Sequence, residues 1–205
     1  ARSATYRERI EEMRRTGSDQ DPLLPQIVTF AMRELEMLRD HASPRRLEEA
    51  TALVTGARAV YLLAQRRAFA VAAYLAYGLA QLEVKAFLLD SVGGMLSEQV
   101  NLIGREDVLI AASFRNYTEE VVQAASVAKR KGASVIAITD AQVSPLARVA
   151  TITVEIGDDA AVPFRTLAAP LCAAQALVMS VGYALGDRPA SGTRKARATK
   201  SRPRA

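Results

Sequence analysis

The chain is poor in the residues that carry most catalytic and metal chemistry. It has one cysteine, Cys172, and one histidine, His41, in 205 residues. A lone cysteine excludes an internal disulfide. Cys172 lies in an apolar helical pattern, which predicts a buried thiol rather than a nucleophile. His41 follows Asp40 at the end of a predicted helix, where an imidazole complements the helix dipole. One His and one Cys make no ligand set for a soft metal, so neither a metal nor a cofactor is expected. Long apolar runs are also missing. The longest, residues 71–82, is broken by Tyr74, Tyr77 and Gln81 and has helical periodicity, so it predicts no membrane span. No charged segment leads into an apolar one, as it would in a signal peptide. These absences predict a cytoplasmic protein.

Net positive charge is absent outside one end. The net charge is +5, yet residues 187–205 alone carry +6 (seven basic residues and Asp187), which leaves the body at −1. The body is therefore not a basic nucleic-acid binder. The tail is rich in Ala, Ser, Thr and Pro and lacks apolar anchors, so it is predicted to be disordered. It serves either as a solubilising terminus or as non-specific electrostatic help in binding DNA.

With 50% hydrophobic residues, the chain is able to form one domain with a full core. Residues 5–15 read as a short charged helix, and Gly17-Ser18-Asp19-Gln20-Asp21-Pro22 reads as a linker. Ile27, Phe30, Ala31, Leu35 and Leu38 form one helical face between residues 25 and 41. Ser43 then caps a helix with Pro44 at its first position, and Gly56 ends it. From there short apolar runs alternate with helical stretches. Strands are predicted at residues 60–63, 86–89, 108–112, 134–139 and 150–156, with helices at 69–82, 95–103 and 121–131. A single helical turn is predicted at 144–147, and a last helix at 164–185 that Pro170 kinks or restarts. Five buried strands separated by helices predict an α/β fold, a parallel sheet covered on both faces in the flavodoxin-like order 2-1-3-4-5.

That order places a topological switch point between the first and third strands. The loops there are Ala64-Gln65-Arg66-Arg67-Ala68 and Ser113-Phe114-Arg115-Asn116-Tyr117-Thr118. The second runs directly into a helix beginning Glu119-Glu120. Free N–H groups and the helix dipole make such a turn suited to an anion. The local chemistry and the topology thus select the same place.

The turn Ser113–Thr118, the phrase Ser144-Pro145-Leu146-Ala147 and the stretch Gly132-Ala133-Ser134-Val135-Ile136-Ala137-Ile138-Thr139-Asp140 together resemble a sugar isomerase (SIS) domain. That family has a Gly-x-Gly-x-Ser turn after its first strand, a Ser-x-Ser-Gly-x-Thr turn after its third and Ser-Pro-Leu-Ala after its fourth. The phrases Gln65-Arg66-Arg67 and Ala72-Ala73-Tyr74-Leu75-Ala76-Tyr77 are similar to the effector domain of RpiR-type transcriptional regulators. Tyr6-Arg7-Glu8-Arg9-Ile10 resembles the linker helix that follows their helix-turn-helix. The resemblance implies a linker helix at residues 1–20, a SIS domain at 21–186 and the tail at 187–205, with the DNA-binding domain absent from this chain. It also implies a phosphorylated sugar as effector, DNA as an indirect partner, and a homodimer or homotetramer. The long final helix, apolar nearly all round, would pack inside the fold or against such a partner.

The departures from the family pattern bear on the ligand. Ala64, Arg66 and Ala68 stand where the family has Gly, Gly and Ser. A hydrogen bond to a charged group contributes about 1.5–3 kcal/mol, so the hydroxyl missing at Ala68 costs roughly ten- to a hundred-fold in affinity. Arg66 and Arg67 either offset this through charge-assisted bonds to phosphate or face solvent, and Gln65 sits with them in the turn. In the second turn Ser113 is a phosphate donor. Thr118 either donates to phosphate or caps the helix, and Arg115 faces either phosphate or solvent. Asn116 stands in place of a family residue, and Phe114 packs in the core or at a subunit contact. Ser144 either reaches sugar hydroxyls or caps the turn at Pro145.

An isomerase would need a base near the substrate. His41 is remote, Glu119 and Glu120 are expected for the dipole alone, and Glu98 is the best remaining base. These features predict a binding module with no catalytic residue. A sugar-phosphate isomerase and a purely dimerising domain are the alternatives.

Overall fold

The computed structural model describes residues 5–16, 22–157 and 165–187. Residues 17–21 of the predicted linker and the basic tail beyond 187 lie outside the described residues. Thr5 and Glu8 form a reciprocal capping box at the first helix, α1 (Tyr6–Thr16): each side chain accepts the other's backbone N–H. Two further helices follow, α2 (Leu23–His41) and α3 (Pro44–Gly56). Ser43 Oγ accepts the N–H of Arg46, and Pro44 occupies the first turn as expected.

The sheet strands are β1 (Val60–Ala64), β2 (Ala86–Leu88), β3 (Val108–Ala112), β4 (Ser134–Thr139) and β5 (Ile152–Glu155). All neighbours pair in parallel, in the order β2-β1-β3-β4-β5. The helices between and after them are α4 (Phe69–Gln81), α5 (Leu96–Asn101), α6 (Glu119–Arg130), α7 (Pro145–Val149) and α8 (Ala168–Gly186).

Strand alternation divides the core in two. Val60, Leu62 and Ala64 of β1, Val108, Ile110 and Ala112 of β3, and Ile136 and Ile138 of β4 face α3, α4 and α8. Leu63, Leu109, Ala111, Val135 and Ala137 face α5, α6 and α7. Each residue step changes the face, so every residue of β3 is buried although no two neighbours share a core. On the first face α4 and α8 approach closely. A Cβ at Gly78 would lie 2.9 Å from the methyls of Val178, so this crossing admits only glycine without movement.

Three expectations are corrected. The last helix begins at Ala168, not 164, and Pro170 falls in its first turn. There its missing N–H has no intrahelical acceptor to lose, so it neither kinks nor restarts the helix. Cys172 is exposed, not buried. Ala169, Ala173, Ala174, Leu177 and Val181 turn inward, and Cys172, Met179 and Tyr183 fall on the opposite stripe. The shorter spans of α5, β2 and β5 are fraying of one to three residues at their ends. By length and composition α8 is apolar enough to cross a membrane, yet it packs along α2, α3 and α4 as a layer of the domain.

Candidate functional site

The parallel pairing sets Ala64 directly beside Ala112. The turns after β1 and β3 therefore leave the sheet next to each other, at the switch point, and the turn after β4 lies alongside.

The turn after β3 is held from within. Ser113 is buried, and its Oγ accepts the N–H of Thr118 at 3.1 Å, which closes the six-residue turn. The Ser113 proton has no acceptor among the described residues. Thr118 stands at the N-cap of α6 without a side-chain cap bond. Phe114 is buried in the first core, which settles its place in the fold. Arg115 and Asn116 are exposed, and Asn116 has a left-handed φ of 72°.

In the turn after β1, Arg66 has φ 55°, the backbone region that the family fills with glycine. A residue with a Cβ is strained there by about 1–3 kcal/mol, and such strain collects at ligand sites. Arg66 is exposed, Gln65 is half-buried and Ala68 is buried. Arg67 turns the other way. Its guanidinium donates to the carbonyls of Arg165 (2.7 Å) and Thr166 (3.3 Å). Ser144 caps α7 by accepting the N–H of Ala147 at 3.0 Å.

A group centred on Asp140, which is not among the site residues selected from the sequence, completes the edge. Asp140 directly follows β4 and is 2% exposed. One of its oxygens accepts the Arg115 N–H at 2.7 Å and pairs with the Arg165 guanidinium at 3.0 Å. The other accepts the Tyr117 hydroxyl at 2.8 Å. The Thr139 hydroxyl has one proton and lies nearest the Ser113 carbonyl, at 2.8 Å, so it ties β4 to the turn after β3. Glu34 of α2 accepts both the N–H and the hydroxyl of Thr166.

Residues 165–167 thus form a strap tied to α2, to Asp140 after β4 and to the turn after β1. Under it lies a recess lined by Glu34, Arg67, Phe114, Asp140 and Arg165, with about 20 Å³ of free space, enough for one water.

Of the residues selected from sequence, the structure brings Arg67 and Phe114 to this recess. Gln65, Arg66, Ala68, Ser113, Arg115, Asn116, Thr118 and Ser144 stand in the surrounding turns. Asp140 could have been found by its position, a charged residue at the C-terminal end of a buried strand. Glu34 and Arg165 carry no such signal, because their contacts span 25 to 132 residues of sequence.

The family profile described as SIS domain matches residues 53–180. The chain belongs to the SIS domain family. No curated protein sequence matches it. Among solved structures, the sugar isomerase domain of an RpiR transcription factor from Sphaerobacter thermophilus is similar, with a TM-score of 0.75 and 22% identity over 80% of this chain and 92% of that one. Vibrio vulnificus NanR complexed with ManNAc-6P gives 0.72 and 20% over 86% and 67%. A Methanococcus jannaschii protein, for which a 3-hexulose-6-phosphate isomerase function was inferred, gives 0.64 and 15% over 78% and 90%. At these identities the likeness to this SIS domain is one of fold.

Proposed function

We propose that this SIS domain is the ligand-sensing part of a cytoplasmic transcriptional regulator. It binds a phosphorylated sugar at the turns after β1 and β3 and controls DNA binding by an attached helix-turn-helix domain. The observation that carries this reading is the Ser113–Thr118 turn. It sits at the switch point, ends in a helix N-terminus and keeps the Ser113 proton for a ligand. Relatives of the same fold include an RpiR transcription factor and a regulator holding ManNAc-6P, which makes a phosphosugar the natural class of effector. Occupancy would shift the arrangement of a homodimer or homotetramer, a coupling of typically about 1–3 kcal/mol.

The isomerase reading has support in the Methanococcus relative. Against it, the carboxylates that line the recess, Glu34 and Asp140, both accept hydrogen bonds from the fold itself. Glu98 is exposed on α5, and Glu120 lines a different recess, between α5 and α6.

A panel of hexose and pentose phosphates tests the two readings together. At least one member should raise the melting temperature of this chain, with a smaller rise in Ser113→Ala and no turnover. A panel without any shift would sink the sensor. Isomerisation that Glu98→Gln or Glu120→Gln abolishes would replace the sensor with an enzyme.

A further inference from the structure

The groups gathered on Asp140 are those that bind phosphate elsewhere: a backbone N–H at a turn, a phenol and a guanidinium. They come from two separate segments, the turn after β3 (Arg115, Tyr117) and the strap (Arg165), and converge on one buried carboxylate. The carboxylate lies beside the turn whose Ser113 proton is available. The recess beside this carboxylate has about 20 Å³ of free space, enough for one water, so a phosphate reaching these donors would have to displace the carboxylate from them. Two anions sharing three donors would also repel one another.

We propose that Arg115 N–H, Tyr117 and Arg165 form an anion cradle, that a phosphate group takes these donors over, and that Asp140 is the internal anion occupying the cradle in the empty protein. The proposal rests on the phosphosugar reading and names its contacts. Arg165 is the main cationic contact, and Asp140 competes with the ligand.

The exchange also explains why the strap matters. Arg165 lies between its Asp140 partner and the neighbouring bonds of Arg67 and Glu34 to the backbone and Thr166. When the guanidinium changes partner, the strap is repositioned against both the turn after β1 and α2. Ligand occupancy is thereby reported to α2, the helix that follows α1.

The probe is inorganic phosphate, titrated against chloride at constant ionic strength on the full chain, read by calorimetry and thermal melting. Asp140→Asn keeps the side-chain shape and removes the competing charge. It should bind phosphate about tenfold more tightly than the parent chain. Adding Arg165→Gln to it should abolish that gain. Unchanged or weaker binding in a folded Asp140→Asn, which a purely structural clamp predicts, overturns the proposal. If Asp140→Asn does not fold, Arg165→Gln and Tyr117→Phe decide: both must weaken the phosphate response of the parent chain, and an undiminished response in either overturns it.

The two readings fail separately. A phosphosugar panel without effect on the parent chain counts against the sensor, while the Asp140→Asn phosphate titration judges the cradle.

Discussion

Two buried aspartates, at opposite ends of the sheet, each pair with an arginine. Asp107 sits at the N-terminal end of β3. Arg58 grips it with both prongs, Nε to Oδ1 at 3.0 Å and Nη2 to Oδ2 at 2.8 Å, and the Gly104 N–H adds a third bond at 2.8 Å. Asp140 sits at the C-terminal end of β4. Its arginine supplies one prong, and the other bonds come from a backbone N–H and a phenol in a neighbouring turn.

The first arrangement is bidentate and serves one junction, where the Arg58 N–H also bonds the Glu106 carbonyl. The second joins separate segments through single bonds. A bidentate pair fixes geometry. A set of single bonds is easier to trade one at a time, which suits the end of the sheet where ligands bind.

The largest effect should come from breaking the fixed end. Asp107→Ala removes the acceptor of both Arg58 and the half-buried Gly104 N–H, and should cost about 2–3 kcal/mol in denaturant unfolding. Its phosphate response should stay that of the parent chain, since the lesion lies at the far edge. A changed response would erase the distinction between the ends.

Acid provides a gentler probe. The hydrogen bonds from Arg58 hold the Asp107 carboxyl below its ordinary value of 3.8, against the opposing effect of burial. A carboxyl with a lowered folded pKa contributes stability that is full above its unfolded value and is lost as pH falls through the folded one. Unfolding midpoints should therefore drop below about pH 3.8, and Asp107→Asn should flatten that limb of the curve. A limb of the same slope in Asp107→Asn would assign the acid loss to other carboxyls.

The smallest effect is expected at Arg66. Arg66→Gly relieves a left-handed backbone but adds freedom to the unfolded chain, and the two offset to within about 1 kcal/mol. A loss clearly above that, measured by denaturant unfolding, would mean that the Arg66 side chain supports the fold.

Much of this architecture is legible in the sequence because parallel strands buried on both faces leave unbroken apolar runs. Val108–Ala112 and Ser134–Thr139 appear with the bounds predicted from those runs. The strand order follows from crossover handedness and the flavodoxin-like pattern. The turns at the switch point were equally visible, since each follows its strand at once.

What failed to show are the contacts between distant segments. Nothing near Glu34 in sequence points to Thr166, and nothing near Arg165 points to Asp140. The bonds from the Arg67 guanidinium to the carbonyls of Arg165 and Thr166 are equally invisible, since they span 98 and 99 residues. Cys172 misled for a different reason. In a helix apolar nearly all round, composition does not mark the inward stripe; only the position of α2, α3 and α4 does.

The close crossing at Gly78 has a mechanical consequence. α8 is a rod of 19 residues, roughly 28 Å long at about 1.5 Å per residue. Its first turn follows the strap directly, and near its middle Val178 bears on the gap left by the missing Cβ of Gly78. A helix pivoting there would move its two ends in opposite directions, the strap at one and the outward-facing Tyr183 toward the other. The close crossing at Gly78 thereby couples the recess mechanically to an exposed aromatic side chain about five residues beyond Val178.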